Sequence, residues 1–214
     1  LNTSNSYPAL NPASVNVVNN AVFSLGNAGN GTWKNTAFNF TGGLGGGTMN
    51  LLGNPIGDIN TTNTFSTSGG ATNTINGGLN ANNANVNFSL TSATSGTSLQ
   101  DGSFASLFFA SNNQGGFGLS SATTLNINGS GGVLFKDKLS ASQINVNAGT
   151  LQMGDGSAAT TATTADLTAS QVVIASDAKV VIQRAEATTT SAVFSGSGSL
   201  QQAGAGTLTL TGNS

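Results

Sequence analysis

The chain has 214 residues, no cysteine, no histidine and only 6% charged residues, against roughly a quarter in ordinary soluble domains. Without Cys there is neither a disulfide frame nor a thiolate metal site. Without His there is no Ser-His-Asp triad and no imidazole ligand, so no cofactor or metal is expected. The five cations, Lys34, Lys136, Lys138, Lys179 and Arg184, are too few and too scattered to track a phosphate backbone, so no nucleic-acid partner is expected.

Apolar residues make up 37% of the chain and recur in short alternating runs, which disordered tracts seldom show. No run approaches the roughly 18 residues of a membrane helix, so this chain is not expected to insert in a bilayer. It starts at Leu1 without a basic leader and stops inside a motif at Ser214, as expected of a processed protein or an excised piece.

Residues 1–12 read as an extended segment, and 13–214 as a single domain of short strands. Strand-like runs lie at Ser14–Val18, Thr36–Thr41, Asn85–Leu90, Thr124–Asn128, Gln143–Asn147, Gln171–Ala175, Lys179–Gln183 and Thr207–Thr211. In Asn85–Leu90, Val86, Phe88 and Leu90 face one way and Asn85, Asn87 and Ser89 the other, a period of two. Clusters of Gly, Asn, Ser, Thr and Asp separate the runs and read as turns. Gly42–Gly47 superficially resembles a phosphate-cradling loop but lacks the Lys and Ser/Thr that must follow, so a tight corner is the better reading. Phe104, Leu107, Phe108 and Phe109 are too dense for one simple coil and are expected over a rod end or in a side loop. Ala158–Ala165 is Ala-rich but broken by Thr, and reads as a loop or insertion, with a short helix as the lesser alternative.

Short strands with frequent turns suit a sandwich, a barrel or a solenoid. Two features favour the solenoid. Outward positions are Asn, Ser and Thr, which can form hydrogen-bonded ladders when like residues stack, where charges would repel. There is also internal repetition. Residues 196–212 read GSGSLQQAGAGTLTLTG, and 129–139 read GSGGVLFKDKL, which aligns with the start of that unit. Ala148-Gly149-Thr150-Leu151 matches Ala205-Gly206-Thr207-Leu208. Gly196, Gly198, Gly204 and Gly206 would form corners, and Leu200, Leu208 and Leu210 would fill the inside of a coil. Gly149, Leu151 and Gly212 belong to the same structural repeat.

The stretch GSGSLQQAGAGTLTLTGNS resembles the autotransporter-associated β-helix repeat, and NAGTLQMGDGS resembles another coil of such passengers. Residues 167–195 resemble the coil that usually precedes the repeat. The clearest repeat coils therefore lie within 129–214, while 1–128 match in composition and strand rhythm. Lys136-Asp137-Lys138 departs from the small or polar residues usual there. The resemblance implies a right-handed parallel β-helix, exported across the outer membrane of a bacterium and displayed at the cell surface or released. With coils of about 20–25 residues the chain would make roughly nine turns.

Many β-helices act on polysaccharides, and glycoside hydrolysis needs two carboxyls about 5–10 Å apart. Asp155 with Asp177, one coil apart, is the best such pair, but solvated turn residues are the better reading. A lyase would need Lys179 or Arg184 as base beside Asp177 and Glu186; surface ion pairs are the competing reading. The turns around Asp155 and around Asn54 and Asp58 each have one carboxylate, too few for calcium. The expectation is a non-enzymatic surface passenger, a stalk or adhesin with a host-surface or glycan ligand. The alternatives are a filament subunit joined through solenoid ends or strand complementation, and, less favoured, a polysaccharide-active enzyme.

Overall fold

The computed structural model describes residues 14–25, 32–33, 37–41, 45–51, 56–57, 61–110, 117–157 and 167–213. The segment 1–12, the turn at Asn54 and Asp58 and the stretch 158–165 lie outside the described residues. No helix occurs among the described residues.

The strands wind in sequence order into coils of three. Coil one holds β1 (Ser14–Val18), β2 (Val22–Leu25) and β3 (Thr32–Trp33); coil two holds β4 (Ala37–Thr41), β5 (Thr48–Leu51) and β6 (Ile56–Gly57). Coil three holds β7 (Thr62–Ser68), β8 (Asn73–Asn76) and β9 (Leu79–Asn80). Coil four starts with β10 (Asn85–Ser89), leaves the stack through a side strand β11 (Ala93–Ser98), and returns through β12 (Phe104–Ala110). The long strand β13 (Phe117–Asn128) closes coil four and opens coil five, which continues through β14 (Gly132–Phe135). β15 (Lys138–Val146) likewise joins coils five and six, followed by β16 (Gly149–Met153) and β17 (Leu167–Thr168). Coil seven holds β18 (Gln171–Ile174), β19 (Ala178–Ile182) and β20 (Thr188–Thr190); coil eight holds β21 (Val193–Gly196), β22 (Ser199–Gln202) and β23 (Leu208–Leu210).

Each strand except the side strand β11, which pairs with β12 of its own coil, pairs in parallel with a counterpart one coil away. The first face runs β1-β4-β7-β10-β13-β15-β18-β21 and the second β2-β5-β8-β12-β14-β16-β19-β22. The third face joins β3, β6, β9, β13, β15 and β17, then continues as the β20–β23 pair. This is a parallel β-helix, the fold class expected. Eight coils at about 4.8 Å each stack to roughly 38 Å. The sequence rhythm suggested about nine; the side excursion lengthens one step to 39 residues, from Val86 to Leu125.

Period-two alternation sends every second side chain into one continuous core. Phe38, Phe65 and Phe88 stack in a column, with ring centroids 4.8 and 5.5 Å apart. Phe109 and Phe135 stack from the opposite wall at 4.4 Å, and Phe88 meets them edge-on at 5.9 and 6.1 Å. Such offset and edge contacts are the preferred aromatic geometries. Later coils replace the rings by Ile127, Val146 and Ile174 on one wall and Met153 and Ile182 on the other.

The dense Phe104–Phe109 segment caps no end. It is β12, in the middle of the second face, with Leu107 and Phe109 in the main core. Phe108 points outward and packs with Leu99, Ala105 and Leu134 in a second, smaller cluster. The apolar density serves two cores on opposite sides of one strand, a case that a one-sided strand pattern does not contain.

Candidate functional site

The glycine repeat marks corners. At Gly196 the backbone has φ +105°, and a Cβ there would lie 2.1 Å from the Ile174 carbonyl oxygen. Gly129, its counterpart in the earlier copy, has φ +91° and meets the Leu90 carbonyl at the same 2.1 Å. Only glycine suits both demands. Gly198 sits at the same corner, Gly204 and Gly206 lie over the carbonyls of Arg184 and Glu186, and Gly212 over that of Ala192. Val133, Leu151, Val180 and Leu200 form one inward column, so 129–133 and 196–200 are in register.

The second sequence match does not survive in space. Gly149–Leu151 enters the second face, beside Ala178–Val180, whereas Leu208 lies on the third face opposite Thr188. A glycine corner followed by an inward Leu serves any of the three corners, so the shared letters do not imply a shared position. Leu200 and Leu208 pack partly buried against the core, while Leu210 stays 45% exposed.

Outward positions on the first face form amide ladders. Asn126 donates to Asn87 Oδ1 and Asn145 donates to Asn126 Oδ1, each at 2.8 Å. Gln143 donates to Asn145 Oδ1 at 2.8 Å. In the neighbouring row Asn39 donates to Asn16 at 2.9 Å, Ser66 to Asn39 at 2.6 Å and Asn147 to Asn128 at 2.9 Å. The second face carries a shorter ladder, Asn76 to Asn50 to Ser24.

The second face also carries a strap, residues 92–103, that sequence reading missed. It is anchored near coil three by Thr94 and Ser95 N–H bonds to Gly70 O. Its tip reaches coils six and seven. There the Gln100 N–H bonds Gln152 Oε1 at 2.7 Å, and Asp101 accepts from Thr150 and lies 3.7 Å from Lys179 Nζ. Leu99 fills a notch that exists because residue 132 is glycine: a Cβ there would stand 2.3 Å from Leu99 Cδ1. The available signal was a doubled Asp-Gly-Ser turn. In both copies the Asp Oδ1 accepts from the Ser backbone N–H at 3.0 Å and from the Ser hydroxyl. Each carboxylate also faces a lysine, Asp101 to Lys179 and Asp155 to Lys136 at 3.2 Å. Burial raises both carboxyls, but the serine hydrogen bonds and the lysines outweigh it and hold both below the usual carboxylate value.

The proposed acid pair is not brought together. Asp177 precedes Ala178 at one end of the second face, and Asp155 follows Met153 at the other, across the paired stretch 149–153 and 178–182. That width is roughly 15–20 Å, too far for two carboxyls to share a glycosidic bond. Arg184 does not stand on the surface. It is buried, and its guanidinium donates to the carbonyls of Lys136 and Asp137, at 2.5 and 2.8 Å, two coils earlier. Lys179 is held by the strap. Of the Gly42–Gly47 run, residues 42–44 lie outside the described residues, and Gly45–Gly47 occupy the corner entering β5. Among the described residues no three His, Cys, Asp or Glu side chains gather as metal ligands do.

Comparison with family models, with curated proteins and with solved structures finds no match to this chain.

Proposed function

We propose that the chain is a non-enzymatic structural and adhesive rod, a passenger module of a bacterial surface autotransporter that acts through its lateral faces outside the cell. The observation that carries this reading is the unbroken coil stack with outward amides and hydroxyls locked into ladders. Such a surface offers a broad, rigid, repeated display. The charged side chains support the same reading, because Lys136, Lys179 and Arg184 hold the strap, a turn and a corner in place. The GSGSLQQAGAGTLTLTG resemblance supports the passenger assignment.

The test is small-angle scattering and sedimentation of the purified chain over a wide concentration range, followed by adhesion of chain-coated beads to cells. Discrete rods whose beads adhere, with adhesion lost after denaturation, are expected. Concentration-dependent filaments would replace this reading by the end-joined fibre. Rods that confer no adhesion on any cell type would leave a spacer and refute the adhesive part.

A further inference from the structure

The first face differs from the other two in charge and order. In coils four to six its outward residues form a grid: Asn85, Asn87 and Ser89, then Thr124, Asn126 and Asn128, then Gln143, Asn145 and Asn147. No charged residue lies in the grid segments 85–89, 124–128 and 143–147; the cation of β15, Lys138, stands at its far end, beside Phe117 on the third face. The described Lys, Arg, Asp and Glu all sit on the second or third face, at corners or on the strap. Rungs repeat at about 4.8 Å along the rod, and alternate residues at about 6.8 Å across it.

The ladder fixes the amides before any ligand arrives. Asn126 gives one N–H to Asn87 and accepts one from Asn145. A side-chain amide has two N–H groups and two lone pairs, so one of each remains at the half-exposed outer surface of this rung. Because the rotamers are held by neighbouring rungs, a ligand need not order them, which removes the usual entropic cost of freezing polar side chains. A fixed, uncharged array of alternating donors and acceptors complements a polymer whose own groups are uncharged donors and acceptors at short intervals.

We infer that the first face of coils four to six is a binding surface for a neutral polysaccharide. This deepens the adhesive reading and rests on it. Each contact is weak, and affinity comes from many rungs engaged at once. Polymer therefore binds far better than a short oligosaccharide, and binding changes little with salt because no ion pair forms.

The test uses the full chain and biolayer interferometry against immobilised galactomannan, a neutral polymer, and polygalacturonate, an anionic one, at low and high salt. Asn126→Ala removes the central rung, and Asn50→Ala removes an equivalent ladder amide on the second face. Binding to galactomannan that is insensitive to salt, about tenfold weaker in Asn126→Ala and unchanged in Asn50→Ala, is expected. Where Asn126→Ala loses its folded circular-dichroism signal, Asn126→Ser keeps one hydrogen-bonding group and should show an intermediate loss. Equal loss in both variants, binding to polygalacturonate alone, or no binding to the neutral polymer overturns the inference. Rod-to-rod pairing that Asn126→Ala abolishes, without glycan binding, overturns it in favour of a second copy as occupant. Adhesive beads whose rods ignore galactomannan would sink this inference and leave the adhesive rod standing.

Discussion

Gly132→Ala tests the strap most directly. Gly132 lies outside the left-handed region, so alanine introduces no backbone strain and acts through space alone. Its Cβ would stand 2.3 Å from Leu99 Cδ1 and 3.4 Å from the Thr150 carbonyl. The clash is with the far end of a flexible side chain, so Leu99 must leave its notch. Leu99 is 3% exposed, and burying a Leu is worth about 1.5–3 kcal/mol. Gly132→Ala should therefore cost about 1–3 kcal/mol. Leu99→Ala should cost about 2 kcal/mol, the low end of the core range, because the satellite cluster is small. In the double variant the clash is absent, so the two costs should fall short of additivity by about 1–2 kcal/mol. Denaturant unfolding gives the cycle, and hydrogen exchange localises it. Gly132→Ala should speed exchange in 92–103 while leaving β18 and β19 protected. Additive costs, or unchanged exchange in the strap, would refute the notch.

Three further perturbations probe the rest of the molecule. Phe88→Ala opens a hole between Phe65, Phe109 and Phe135 and should cost about 3–5 kcal/mol in denaturant unfolding; a change under about 1 kcal/mol would mean the two aromatic columns do not share a core. Arg184→Met leaves the Lys136 and Asp137 carbonyls without their charged donor and should cost about 3 kcal/mol, with faster exchange at 136–138; unaltered exchange there would contradict the clamp. Asp101 and Asp155 are held below their unfolded value of 3.8, so their contribution is present above that value and is lost as pH falls through the lowered folded values. Stability should decline below about pH 4, with Asp101→Asn and Asp155→Asn each flattening that decline; an unchanged acid limb in both variants would remove the two turns from the account.

Much of the fold was legible because the period of two is written residue by residue. Val86, Phe88 and Leu90 inside against Asn85, Asn87 and Ser89 outside needs no partner strand to be recognised. The ladder expectation followed equally locally, since stacked Asn and Ser can bond where like charges repel. The strap was not legible. Leu99 and Gly132 are distant in the chain, and neither residue type signals a notch. Phe108 and Leu134 interrupt the alternation in the runs 107–109 and 133–135, and face out under the cover that the strap supplies. Arg184 reads as a surface cation by type, and only its reach to carbonyls 47 and 48 residues earlier shows it buried.

The sequence by itself determined strand periodicity, the neutral outward chemistry and the glycine corners, because each depends on a residue and its near neighbours. The register in which coils stack was decided by tertiary structure. It puts Val133, Leu151, Val180 and Leu200 in one column, sends two like Ala-Gly-Thr-Leu strings to different faces, and sets Asp155 and Asp177 a face apart. The physical reason is that coil length varies from 18 residues between Val133 and Leu151 to 39 between Val86 and Leu125. Distance along the chain then no longer reports position around the coil, and only packing of one coil on the next fixes which side chains meet.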